Sequence, residues 1–240
     1  MNSKIILVAL LGSSAALFGC SREVTSSQNI KTAGIAALID VTAESDSLST
    51  VVAELRIAGS SSNAFVSLDG DDRIMATAAD TTKEMVVEDL AGVYQAEFPT
   101  AAADTKFSVA LERATDEESA RGNSGSLPAP FEIGPTPDTK PSRANEDITL
   151  TWTAGDSSAD MVAELRGNCI FDEKIDVVGD EGTLLIEKGT LKSTSSDKPE
   201  ECEITVTMTR SRNGAADPGF DPESWFRLHQ VRKASFVSAP

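Results

Sequence analysis

The stretch Ile204-Thr205-Val206-Thr207-Met208-Thr209 alternates one apolar residue with one threonine. In an extended chain successive side chains point to opposite faces, so this rhythm gives one apolar face and one hydroxyl face, as a half-buried strand requires. β-Branched threonine also fits a pleated surface better than a helix. The same rhythm returns where Val51, Ala53, Leu55 and Ile57 alternate with Val52, Glu54, Arg56 and Ala58. It recurs where Phe107, Val109 and Leu111 alternate with Ser108, Ala110 and Glu112, and where Ile148, Leu150 and Trp152 alternate with Thr149, Thr151 and Thr153. Between these runs stand Asp69-Gly70, Ala91-Gly92, Asp180 to Gly182 and Asn213-Gly214, residue types that reverse a chain. No amphipathic helical run of useful length interrupts them. The expected fold class is therefore all-β, built from antiparallel strands that bury one face each.

The pattern also repeats. Sliding the chain along itself until Val51, Ala53 and Leu55 fall on Ile148, Leu150 and Trp152 also sets Leu68 and Gly70 on Leu165 and Gly167. The same shift sets Gly92 on Gly189, and Phe107, Val109, Leu111 and Arg113 on Ile204, Val206, Met208 and Arg210. The identity of Val52-Ala53-Glu54-Leu55-Arg56 with Val162-Ala163-Glu164-Leu165-Arg166 extends to little around it and reads as a coincidence between two different strands. Beyond Arg113 and Arg210 the register slips, so that Phe131 matches Phe236 and is expected in the last strand of the first unit. The boundary then falls near Gly134, inside a proline-rich connection that should be short and stiff.

Ahead of the strands, Lys4 precedes a short apolar run, Ile5 to Leu11 and Ala15 to Phe18, that is too short to span a membrane. It ends in Leu17-Phe18-Gly19-Cys20. These residues resemble the lipobox of bacterial lipoproteins, in which the cysteine is acylated and becomes the first residue of the mature chain. The resemblance makes Cys20 a lipid anchor and residues 1–19 a removed signal peptide. Residue Ser21, which is not aspartate, points to the outer membrane under the sorting rule that goes with the resemblance. From Ser21 to about Ala33 the residues are polar and aperiodic, and residues 20–34 read as a flexible tether.

Two units of roughly seven short strands, residues 35–134 and 135–240, resemble tandem immunoglobulin-like β-sandwiches of bacterial surface lipoproteins. Cys169 and Cys202 form an even pair in an exported chain, which favours a disulfide over free thiols. A loop of that length would contribute about 4 kcal/mol on the chain-entropy account. The immunoglobulin-like resemblance places Cys169 after the third strand of its unit and Cys202 at the start of the sixth, antiparallel neighbours in such a sheet.

The formal net charge is −17, and loss of Lys4 with the signal makes it one unit more negative. A chain this acidic repels nucleic acid, whose binding needs clustered Lys and Arg. Within the last two strands, Arg210, Arg212, Arg227, Arg232 and Lys233 crowd together, a pattern expected either to meet an acidic partner or, the preferred reading, to neutralise neighbouring acids. Chemistry is thinly provided. His229 is the one histidine, its flanks read as a strand, and no G-x-S-x-G nucleophile motif is present. A zinc site cannot be assembled from one histidine and two bridged cysteines.

Asp69, Asp71 and Asp72 form one acidic loop, and Asp217, Asp221 and Glu223 another; either is a weak candidate for calcium, though neither has EF-hand spacing. Phe220, Trp225 and Phe226, near the last hairpin, form the candidate contact surface. Trp152 reads as core. The expectation is a non-catalytic binding or structural module without cofactor, held to the membrane through the lipid on Cys20 and meeting an envelope protein or glycan. The alternative is a carbohydrate-binding or calcium-dependent adhesive module.

Overall fold

The computed structural model describes residues 23–88, 91–155, 159–195 and 197–240; the Leu17–Cys20 lipobox lies outside them. The first half contains β1 (Glu23–Ser26), β2 (Ile35–Ala43), β3 (Ser49–Ile57), β4 (Ala64–Ser67) and β5 (Arg73–Ala78). It continues with β6 (Thr81–Glu84), β7 (Val86–Val87), β8 (Val93–Phe98), β9 (Lys106–Glu112) and β10 (Ala120–Ser126). The second half contains β11 (Ile148–Thr151), β12 (Asp160–Arg166), β13 (Glu173–Val177), β14 (Thr183–Ile186), β15 (Cys202–Asn213) and β16 (Trp225–Ser238). All the alternating runs quoted above are strands, with Ala58 just past β3 and Trp152 and Thr153 just past β11.

Each half packs two sheets face to face. In the first, β2, β3 and β8 pair in one layer, and β10, β9, β5 and β6 pair in the other. Ile39, Val41, Val51, Ala53 and Leu55 of one layer meet Ile74, Phe107, Val109 and Leu111 of the other in one buried cluster. In the second half β11 and β14 form a small layer, joined by an Ile133–Trp152 bridge, against β13, β12, β15 and β16. Its cluster includes Leu150, Trp152, Met161, Leu165, Ile204, Val206, Met208 and Phe236. The fold is all-β, two antiparallel sandwiches of the expected kind.

The halves are not strung end to end. One sheet runs through both, because β16 pairs antiparallel with β15 over its length and parallel with β2 over its first six residues, Trp225↔Leu38 to Gln230↔Ala43. Along β16 the inward side chains change core: Phe226 and Leu228 belong to the first cluster and Phe236 to the second. Phe220, in the loop before β16, also lies in the first core.

Three expectations need correction. Phe131 is not in the last strand of the first unit: β10 ends at Ser126, and Phe131 packs in the second core. The strands β5 and β12, which pair with β9 and β15 in equivalent places, are not brought together by the shift that superposes β3 on β11 and β9 on β15, so Leu68 and Leu165 are not equivalent. Residues 23–34 are not a loose tether. β1 pairs with β4, Ser27 and Thr32 are buried, and Arg113 donates to Ser27 O (2.7 Å), Ile30 O (3.1 Å) and Thr32 Oγ1 (3.0 Å). The segment is polar because its partners are polar, and such partners leave no hydrophobic period to read.

Candidate functional site

The junction between the sandwiches holds most of the residues singled out above. It is built on the β15–β16 hairpin and loop 214–224. Phe220 is 4% exposed and Phe226 1% exposed, so neither belongs to a contact surface. Each apolar side chain of this kind contributes roughly 1.5–3 kcal/mol when fully buried, which makes Phe226 and Leu228 substantial members of a core that their own half does not own. Trp225 is half-buried against the same sheet; its Nε1 donates to Asp40 Oδ2 at 3.2 Å, and the Arg227 guanidinium lies 4.2 Å from its ring centroid.

Loop 214–224 is sewn to the first sandwich by its backbone and acids. Ser124 and Ala215 exchange two backbone hydrogen bonds, of 3.0 and 2.8 Å. Asp221 N donates to Ile35 O (2.9 Å), Ala37 N to Ser224 Oγ (3.0 Å) and Asp217 N to Asn123 Oδ1 (2.9 Å). Gly214 serves this close approach: a Cβ there would meet Ser124 O at 2.5 Å and Phe226 Cδ1 at 2.7 Å. The Asn213-Gly214 pair is thus the place where two chain segments touch, not the tip of a two-residue turn.

Four of the six acids proposed for calcium are occupied by their own chain. Asp217 accepts from Gly122 N and Gly219 N, Asp221 from Glu223 N, and Glu223 Oε2 from Ser60 N (2.7 Å) and Ser60 Oγ (2.9 Å). The two Ser60 hydrogen bonds hold the Glu223 carboxyl below the usual carboxylate range. Asp72 takes Arg113 Nε at 2.9 Å, the Ser27 hydroxyl at 2.7 Å and Ala114 N at 2.8 Å. Asp69 and Asp71 are exposed beside it. Among the described residues, no three His, Cys, Asp or Glu side chains converge as a metal site.

His229 has acquired neighbours. Its Nδ1 is 2.7 Å from Ser211 Oγ and its Nε2 3.1 Å from Asp40 Oδ1. The connectivity is that of a serine, a histidine and an aspartate, with the ring nitrogens exchanged relative to the hydrolase arrangement. Register explains it: Ser211 lies directly opposite His229 on β15, and Asp40 is two residues from His229's partner Thr42 on β2. A shallow cavity of about 360 Å³ lies beside it, lined by Thr42, Glu44, Ser45, Leu48, Thr50 and Val52 of the β2–β3 side. Ser211 is on the far side of His229 from that cavity, so a nucleophile there would not meet a ligand in it. The three side chains form a strap across β2, β16 and β15, the strands that join the halves.

A second junction element was missed in the sequence. Arg210 and Asp180, 1% and 0% exposed, stand 2.8 Å apart as an ion pair outside hydrogen-bonding alignment. Asp180 Oδ1 accepts from Trp152 Nε1 (2.6 Å), while Arg210 donates to Ala129 O (2.8 Å), Pro130 O (3.2 Å) and Thr153 O (2.7 Å). Arg210 therefore clasps the connection entering the second sandwich, as Arg113 clasps the segment entering the first. The repeat had paired the two arginines; it carried no sign that Asp180, read as a turn residue, was the buried partner. The Cys169–Cys202 disulfide is formed and ties the end of β12 to the start of β15, with Cα atoms 5.9 Å apart.

The strand order defines the class, a fused pair of immunoglobulin-like β-sandwiches. No protein-family model matches the chain, and no curated protein does. Solved structures similar to it include a cytokine receptor complex (11% identity, 84% of this chain, 95% of that one, TM-score 0.30). A two-domain fibronectin type-III segment of chicken tenascin is similar at 10% identity over 85% of this chain and 99% of that one, TM-score 0.24. Fibronectin(III)-like modules of Clostridium thermocellum CbhA match at 13% identity over 82% and 93%, TM-score 0.24.

Proposed function

We propose that the chain is a lipid-anchored protein of the bacterial cell envelope, held at the outer membrane through Cys20, which acts as a non-catalytic binding or structural module. The observation that carries the reading is the sharing of β16 between two cores. A shared strand turns two sandwiches into one stiff body, suited to presenting a surface at a fixed place. The burial of Phe220 and Phe226 moves the expected contact to the other end of the second sandwich. There Phe171 is 61% exposed, two residues along the chain from Cys169, which with Asn168, Thr194, Ser195, Lys198 and Glu200 lines a 310 Å³ cavity. An envelope protein is the partner that such an aromatic group beside polar neighbours fits.

Two experiments test the reading. Cys20→Ser should move the protein from the membrane to the soluble fraction; continued membrane association would contradict the anchor. Crosslinking in native membranes should recover an envelope protein with the intact chain and lose it with Phe171→Ser. Retention of every crosslink by Phe171→Ser would place the contact elsewhere, and recovery of glycan alone would replace the protein partner.

A further inference from the structure

We propose that the end of the first sandwich formed by the start of β1, loop 58–63 and loop 214–224 faces the lipid surface, and that the second sandwich stands away from it. The inference rests on the reading of Cys20 as the acylated residue and adds an orientation to it.

Its first ground is distance. Glu23 is three residues after Cys20, and a fully extended chain advances at most about 3.6 Å per residue, so Glu23 lies within about 11 Å of the acylated residue's Cα. Glu23 is itself fixed. β1 pairs residue by residue with β4, Glu23↔Ala64 to Ser26↔Ser67, and Ser27 follows at once under Arg113 and Asp72. The first described residue is thus a rigid part of the sandwich, and the lipid can attach only close to it.

The second ground is direction. Ala64 precedes Phe65, which pairs with Arg56, and Ile57 pairs with Ile35, so Glu23 is level with the end of β3 and the beginning of β2. From that level β2 and β16 run parallel and away. Gln230 is level with Ala43, and β16 continues to Ser238, opposite Cys202. At roughly 3.3 Å per residue the disulfide end is about 50 Å farther from the lipid. The strand β16 runs unbroken from one sandwich into the other and links the two ends.

The third ground is chemistry. Loop 58–63 is Ala-Gly-Ser-Ser-Ser-Asn, small and uncharged, and Val24 beside it is 45% exposed. The carboxylates of Asp217, Asp221 and Glu223 at this end accept from the chain's own N–H groups. The body behind them is strongly acidic, so anionic headgroups repel it and an upright posture is favoured over lying flat.

The test uses the full acylated protein on phosphatidylcholine vesicles containing a nitroxide-headgroup lipid, with a fluorophore on either Asn63→Cys or Ser195→Cys. The Asn63 label should be quenched several-fold more than the Ser195 label, on protein that floats with the vesicles. Equal quenching on floating protein would overturn the orientation while leaving the anchor intact. Failure to float, as for Cys20→Ser, would overturn the anchor and the orientation with it. Inserting a Gly/Ser segment of about 30 residues after Arg22, which spans about 30 Å as a random coil, should erase the difference. A difference unchanged by that insertion would refute the short attachment as its cause.

Discussion

The hairpins β9–β10 and β15–β16 hold the same place in their two sandwiches and end differently. β10 stops at Ser126 and its strand serves one core. β16 runs for fourteen residues and serves two, its first half closing the open edge of the other sandwich beside β2. The longer loop before β16 is what allows this, since it carries Phe220 into the first core and Asp217, Asp221 and Glu223 to its backbone. A small domain with an exposed edge strand invites pairing with another chain. Here the neighbour within the chain takes that edge, and the first sandwich gains apolar side chains that its own sequence does not supply.

Substitutions in the hairpin should therefore injure the wrong half. Phe226→Ala, numbered in the second unit, should cost about 4 kcal/mol. Hydrogen exchange should show the loss in β2 and β3 more than in β12, whereas Phe236→Ala should show the reverse. Loss confined to β12 and β15 in Phe226→Ala would break the comparison.

The two arginine clasps sharpen it. Arg210→Ala should cost about 3 kcal/mol, because it leaves Asp180 as a buried charge without its partner. It should also raise exchange at Trp152 and Thr153, read by denaturant unfolding and exchange together. Arg113→Ala should instead loosen residues 27–34. Replacing Cys169 and Cys202 together by Ser should cost about 2–4 kcal/mol, seen as a lower denaturation midpoint, with β2–β16 pairing retained.

The smallest effect belongs to Glu223. Its folded-state carboxyl is held below its ordinary value by Ser60, so the contribution is full above the unfolded value and disappears as pH falls through the lower folded one. Glu223→Gln should therefore be less stable than the wild type at neutral pH and converge with it in acid. A gap that widened on acidification would contradict the assignment.

Much of this was legible in the residues. Alternation gave β3, β9, β11 and β15, because one face of each is buried and the other wetter; β2, buried on both faces from Ile35 to Ile39, shows no such rhythm. The pairing of Arg113 with Arg210 followed from phase alone. The VAELR coincidence was also readable, and the structure places its two copies in β3, between β2 and β8, and β12, between β13 and β15, which are not equivalent strands. What alternation cannot say is which core a buried face enters. Phe226, Leu228 and Phe236 keep one parity along β16, so the change of core partway along the strand leaves no mark. Ser27 and Thr32 were hidden for another reason: they are covered by Arg113, Asp72 and Glu118, whose Oε2 accepts from Thr32 N at 3.1 Å, and this pairing is long-range and polar. Ser211, His229 and Asp40 come together through register across three strands, which spacing along the chain does not encode.

If one strand completes both cores, the halves cannot unfold separately. Exchange-detected unfolding in guanidinium chloride, followed at β2–β3 for the first sandwich and at β12–β15 for the second, should give one midpoint and one slope for both. Two transitions, with the first sandwich persisting after β15 and β16 have exchanged, would contradict the shared strand.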